Sequence, residues 1–73
     1  MIDYADRLKK IRLKMDLKQT EVAATAGLSL RTYQRYEYGQ RQPTADVLVA
    51  LANFYDVSID YLVGRTNNPN MNR

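Results

Sequence analysis

Apolar residues recur three and four positions apart along most of this chain, and small or polar residues break the rhythm at intervals. Leu8, Ile11 and Met15, with Tyr4 one turn earlier, form one stripe and predict a first helix over residues 3–15. Asp3 and Asp6 fall near its start and Lys9, Lys10, Arg12 and Lys14 toward its end, the order the helix dipole favours. Arg7, Lys10 and Lys14 are expected to project away from the stripe, with Arg12 at its edge. Asp16 then serves as C-cap or turn residue, and Leu17 packs beneath the corner. A second helix over 18–25 turns Val22 and Ala23 inward; Lys18 is a poor N-cap for it. A third, over 30–38, buries Tyr33 and Tyr36 and places Arg31, Gln34, Arg35 and Tyr38 on the other face. After the loop 40–43, Thr44 caps a fourth helix reaching Tyr55, with Val47, Leu48, Leu51, Ala52 and Tyr55 inside and Phe54 widening the face. Ser58 caps a short fifth helix over 59–63, stopped by Gly64, whose Ile59, Tyr61 and Leu62 close the core. The remaining RTNNPNMNR is too polar to bury and is expected to fray.

The junction between the second and third helices is the most informative stretch. It reads Ala26-Gly27-Leu28-Ser29. Gly27 suits a positive φ just past a helix end, where a Cβ clashes. Ser29 suits an N-cap, because its hydroxyl accepts from a free N–H of the next first turn. Two such residues so close together leave room only for a sharp corner, which is a helix-turn-helix signal.

Composition narrows the function. The chain has 73 residues, which make one small domain over 1–64 and a polar tail over 65–73. It has no cysteine and no histidine, so thiolate and imidazole metal ligands are absent and so is the usual general base near neutral pH. With no glycine-rich phosphate loop either, catalysis is the weakest reading, and no cofactor or metal is expected. No apolar run nears the roughly 20 residues of a membrane span, and no signal peptide is visible, which is compatible with the cytoplasm. The net charge of +3 is uneven: residues 1–45 hold nine Lys/Arg against five Asp/Glu, and residues 46–73 two against three. A polyanion such as DNA accounts for that excess, and at this size so does an ordinary solvated surface.

LKQTEVAATAGLSLRTYQRYEYGQRQPT, followed by DVLVALANFYDVSIDYLVG, resembles the Xre/Cro/lambda-repressor-like helix-turn-helix family. The features in register are L-x-Q at 17–19, Ala23, Gly27, Ser29, R-x-E at 35–37, G-x-R-x-P at 39–43 and V-S-x-D-x-L-x-G at 57–64. The resemblance implies an all-α, compact five-helix bundle whose helices 2 and 3 form the motif. It implies a sequence-specific regulator of double-stranded DNA, mostly a dimeric repressor on a two-fold symmetric operator. The alternative it leaves open is a protein-interaction module or antitoxin of the same fold.

The implied roles fall on particular residues. Helix 3 would enter the major groove with Leu30, Arg31, Gln34 and Arg35 toward the bases. Arg31 and Arg35, one turn apart, each suit the O6 and N7 of guanine; Gln34 suits adenine; Leu30 offers only apolar contact with a thymine methyl. Gln19 matches a family glutamine that reaches a phosphate and braces helix 3. Thr20, Thr32, Tyr38, Gln40, Arg41 and Gln42 are the further phosphate candidates, with Arg41 the one charge among them. Arg12 and Glu37 match positions that form an internal ion pair. A homodimer surface is expected around helix 5, at Tyr55, Val57, Tyr61 and Val63. Tyr33 and Tyr36 replace the aliphatic residues common at their positions and are read as core.

Overall fold

The computed structural model describes residues 4–70, all helix, turn and loop. Five helices follow in order: α1 (Tyr4–Lys14), α2 (Gln19–Thr25), α3 (Leu30–Glu37), α4 (Ala45–Tyr55) and α5 (Ile59–Leu62). The helix start expected at Asp3, and tail residues 71–73, lie outside the described residues.

One device ends all five helices. Asp16, Gly27, Gly39, Asp56 and Gly64 each take a left-handed conformation, with φ between 56 and 85°. The next residue's N–H then reaches back to the carbonyl five positions earlier: Leu17 to Arg12, Leu28 to Ala23, Gln40 to Arg35, Val57 to Ala52 and Arg65 to Asp60. This is a Schellman closure, which satisfies carbonyls the helix leaves free. At Gly27 an added Cβ would meet nothing within 4 Å, so the backbone angle rather than lack of space calls for glycine there. Three helices begin alike as well. Ser29, Thr44 and Ser58 each accept from the backbone N–H three residues on. For α2, Glu21 Oε1 accepts from the Lys18 N–H at 3.0 Å, supplying from the third position the cap that lysine lacks.

The core joins every helix. Leu8 and Ile11 of α1, Val22 and Ala23 of α2, Tyr33 and Tyr36 of α3, Leu51, Ala52 and Tyr55 of α4, Val57, and Leu62 of α5 are all buried. Ala23 is small enough for α3 to come close, and α2 and α3 make the motif's corner. Two core expectations need correction. Met15 lies 49% exposed, because the chain leaves α1 after Lys14 and turns at Asp16. Ile59 is 42% exposed: α5 is a single turn, and Leu62 is its one fully buried side chain.

The start of the tail does not fray. Arg7, expected to point into solvent, is half-buried. Its guanidinium sits 4.4 Å from the Tyr61 ring centroid, donates to the Thr66 carbonyl at 3.2 Å and to Asn67 Oδ1 at 3.1 Å. The Ser58 N–H donates to the Pro69 carbonyl at 3.0 Å. Residues 66–69 are thereby tied to α1 and to the start of α5.

Candidate nucleic-acid interface

The site is assembled from the inside outward, beginning at a buried carboxylate. Glu37, at the end of α3, has a side chain fully screened from solvent. Arg12 of α1 meets it with two parallel bonds, Nε to Oε2 at 2.6 Å and Nη2 to Oε1 at 3.1 Å. Such a fork fixes direction as well as distance. The third donor, Arg12 Nη1, reaches the Leu17 carbonyl at 2.9 Å. One guanidinium thus joins the end of α1, the approach to α2 and the end of α3. Burial alone would push the Glu37 carboxyl up, but the hydrogen bonds it accepts, from Arg12 above all, hold it below the usual carboxylate range.

The network continues toward the surface. Gln19 Nε2 donates to Glu37 Oε1 at 3.2 Å, and Gln34 Nε2 donates to Gln19 Oε1 at 3.1 Å. The first residue of α2 is therefore clamped to α3 by its own side chain. Tyr33 and Tyr55 lie beside Glu37, and their buried hydroxyls make no hydrogen bond of good geometry. Burial pushes the Tyr55 phenol up to about 12. Both tyrosines are neutral at ordinary pH and act as packing groups.

On the outer face, Arg31 is exposed and Arg35 half-buried, and among the described residues neither makes an ion pair. Leu30 is 39% exposed, at the helix end that the Ser29 cap fixes. Thr32 Oγ1 accepts from the Ser29 hydroxyl at 2.9 Å, and the Thr32 N–H donates to Ser29 Oγ at 3.2 Å, so the side chain is tied down beside the corner. Thr20, Tyr38, Gln40, Arg41 and Gln42 are exposed. The loop that carries the last three is not free: the Tyr4 hydroxyl donates to the Arg41 carbonyl at 3.0 Å. By contrast Lys10 is paired with Asp6 at 2.8 Å along α1.

The expected dimer surface is divided. Tyr55 and Val57, 5% and 8% exposed, complete the chain's own core and offer no surface to a second copy. Tyr61 is half-buried beneath Arg7, and Val63 is half-buried. Among the described residues no cluster of three carboxylates stands ready to hold a metal ion. Gln19 does brace α3, as the resemblance implies, and Gln34 and Glu37 are the partners the sequence left unnamed. The Tyr4–Arg41 link and the ties of Arg7 to the tail had no expectation behind them, the one hint being a phenol in the otherwise apolar stripe at Tyr4.

An α3 braced from behind and carrying unpaired arginines in front is the arrangement found where the family description for helix-turn-helix, HTH_3, matches residues 8–62. The chain belongs to the helix-turn-helix family. YobD, an uncharacterized HTH-type transcriptional regulator of Bacillus subtilis, is 38% identical over 66 residues, which cover 90% of this chain and 59% of YobD. RstR, a cryptic phage CTXphi transcriptional repressor of Vibrio cholerae, is 38% identical over 60 residues, covering 82% of this chain and 54% of RstR. This helix-turn-helix chain thus spans somewhat more than half the length of the curated relatives it matches. The crystal structure of a transcriptional regulator from Listeria innocua superposes with a TM-score of 0.84 at 30% identity, over 88% of this chain and 60% of that one.

Proposed function

We propose that this chain binds double-stranded DNA by sequence and regulates transcription, as a repressor working in the cytoplasm rather than as an enzyme. The observation that carries the reading is the contrast between the two faces of α3. Its inner face is fixed to α1 and α2 through Arg12, Glu37 and Gln19. Its outer face presents Arg31 and Arg35, one turn apart and unpaired among the described residues. A rigid helix about 10–12 Å across fits a major groove about 12 Å wide, and paired arginines suit guanine edges. The names of the relatives, regulators and a repressor, point the same way.

Gln19 at the α2 start and the Gln40–Gln42 loop flank α3 and would meet the phosphates on either side. Specific binding by one small module is weak against a genome of competing sites, so two copies on half-sites about 34 Å apart complete the reading. A contact near α5 would use Tyr61, Val63 and the exposed Ile59.

Selection of duplexes from a random pool tests the reading. Arg31→Ala and Arg35→Ala should each cost roughly 1–3 kcal/mol and relax preference at one position. Arg41→Ala should weaken binding to all sequences and lower the salt slope by about one. No enriched duplex at low salt, or equal sequence-blind losses in all three variants, would overturn it.

A further inference from the structure

The hydrogen-bond chain behind α3 has a direction, and the direction reaches the surface. Arg12 carries only donors and the Glu37 carboxylate only acceptors. Gln19, touching Glu37, must therefore present its Nε2 to it, at 3.2 Å. That leaves Gln19 Oε1 facing Gln34, so Gln34 must also present its Nε2, at 3.1 Å. An amide alone could sit either way round; here a charged pair two links away decides. Among the described residues the Gln34 oxygen has no hydrogen-bond partner, and it is not buried, so it opens to solvent. Gln34 stands one residue before Arg35 on α3.

We infer that the Arg12–Glu37 pair sets the polarity of Gln34, making Gln34 a hydrogen-bond acceptor toward DNA and Glu37 a positioning residue for specificity. Resting on the DNA-binding reading, this names what Gln34 selects. An outward oxygen accepts a hydrogen bond from adenine N6–H or cytosine N4–H and is repelled by guanine O6 and thymine O4.

The inference makes a demand on Arg12→Met/Glu37→Leu. Glu37→Gln alone does not test it, because Oε1 accepts from both Arg12 Nη2 and Gln19 Nε2, and an amide oxygen kept there leaves the chain unturned. The apolar pair removes the acceptor-only neighbour of Gln19 without leaving a buried charge behind. Gln19 and Gln34 can then turn over together, and the surface loses its fixed polarity. Gln19→Met is the second variant: it leaves Arg12–Glu37 intact and cuts the chain, so Gln34 is free to turn either way.

Duplex selection with the three proteins reads the result, with circular dichroism confirming that each is folded at the working temperature. Wild type should prefer adenine or cytosine over guanine or thymine at one position by roughly five-fold or more. Arg12→Met/Glu37→Leu and Gln19→Met should each flatten it, while the positions read by Arg31 and Arg35 keep theirs. A second readout needs no DNA. In side-chain amide NMR, the Gln34 NH2 protons should show contacts to Gln19 in wild type that weaken in Arg12→Met/Glu37→Leu. Unchanged base preference in Arg12→Met/Glu37→Leu, or a sequence-blind change showing that Gln34 meets phosphate, would overturn the inference. If wild type selects no duplex, the DNA-binding reading fails, and unchanged Gln34 contacts in Arg12→Met/Glu37→Leu would then overturn the relay on their own.

Discussion

Replacing Arg12 with methionine should reverse how the stability of this domain depends on pH near Glu37. The variant keeps most of the side-chain volume and removes the guanidinium. Glu37 is then left with Gln19 Nε2 as its one described hydrogen-bond donor, behind a side chain with no exposed surface. Breaking a buried pair in this way costs about 3–5 kcal/mol. A domain of this length holds on the order of 4–11 kcal/mol in all, at ~0.05–0.15 kcal/mol per residue. The variant should therefore be marginal at neutral pH.

The sign of the pH effect follows from which way Glu37 is shifted. In wild type its folded pKa lies below the ordinary value of 4.5. Its contribution is thus present above that value and is lost as pH falls through the depressed folded one. In Arg12→Met burial is opposed only by the neighbouring Tyr33 hydroxyl and Gln19 amide, and the folded pKa should rise above 4.5. A carboxyl raised in the folded state contributes fully at low pH and loses that contribution as pH climbs through the folded value. The gap between the two proteins should shrink on acidification to about 1 kcal/mol, the share of the lost bond from Arg12 to the Leu17 carbonyl. Urea unfolding followed by far-UV circular dichroism, from roughly pH 3.5 to 7.5, measures the gap. Arg12→Met/Glu37→Leu should recover most of the loss at neutral pH. A gap that stays constant across the range refutes the desolvation argument.

Three further outcomes follow from local geometry. Ser29→Ala removes the acceptor for the Thr32 N–H, 3.2 Å away, and should cost about 1 kcal/mol, or roughly 4–8 °C in thermal melting. Asp16→Gly relieves a left-handed residue at φ 57° and should stabilise by about 0.5–1 kcal/mol in urea unfolding. Arg7→Ala frees residues 66 and 67, so hydrogen exchange at the Ser58 N–H, bonded to Pro69, should accelerate while the α3 amides stay protected.

The helices were readable because local chemistry specified them at both ends. Ser29, Thr44 and Ser58 are good N-caps, Gly27, Gly39 and Gly64 tolerate a left-handed turn, and periodicity singled out Leu8, Ile11, Leu51 and Leu62. What escaped depends on distance in sequence. Periodicity gave Tyr55 and Val57 an apolar face but not a partner, and the chain's own core claimed both. Arg7 read as a surface charge because nothing local says that Tyr61 and Asn67 will arrive beside it. Gln19 and Gln34 are 15 residues apart, and each alone is an ordinary polar residue. The order of amide atoms between them exists only when Glu37 is also in place. At the candidate site, sequence could name the side chains of α3 but not which atoms they offer.

That distinction bears on why a small domain keeps a charge inside. Apolar residues of similar volume often match or exceed the stability of a buried ion pair. Tyr33 and Tyr55, whose buried hydroxyls lack good partners, already show a polar interior held at some cost. Stability alone therefore does not account for Arg12 and Glu37. An apolar pair would hold α1 against α3 equally well, yet it would leave the Gln19 amide with no acceptor-only neighbour. Gln19 could then turn over, and Gln34 with it. The carboxylate differs from every apolar substitute in having a polarity to pass on, and the Arg12 fork does most to keep it charged in that surrounding. The ion pair is better explained by the orientation it imposes on two amides than by the energy it adds to the fold.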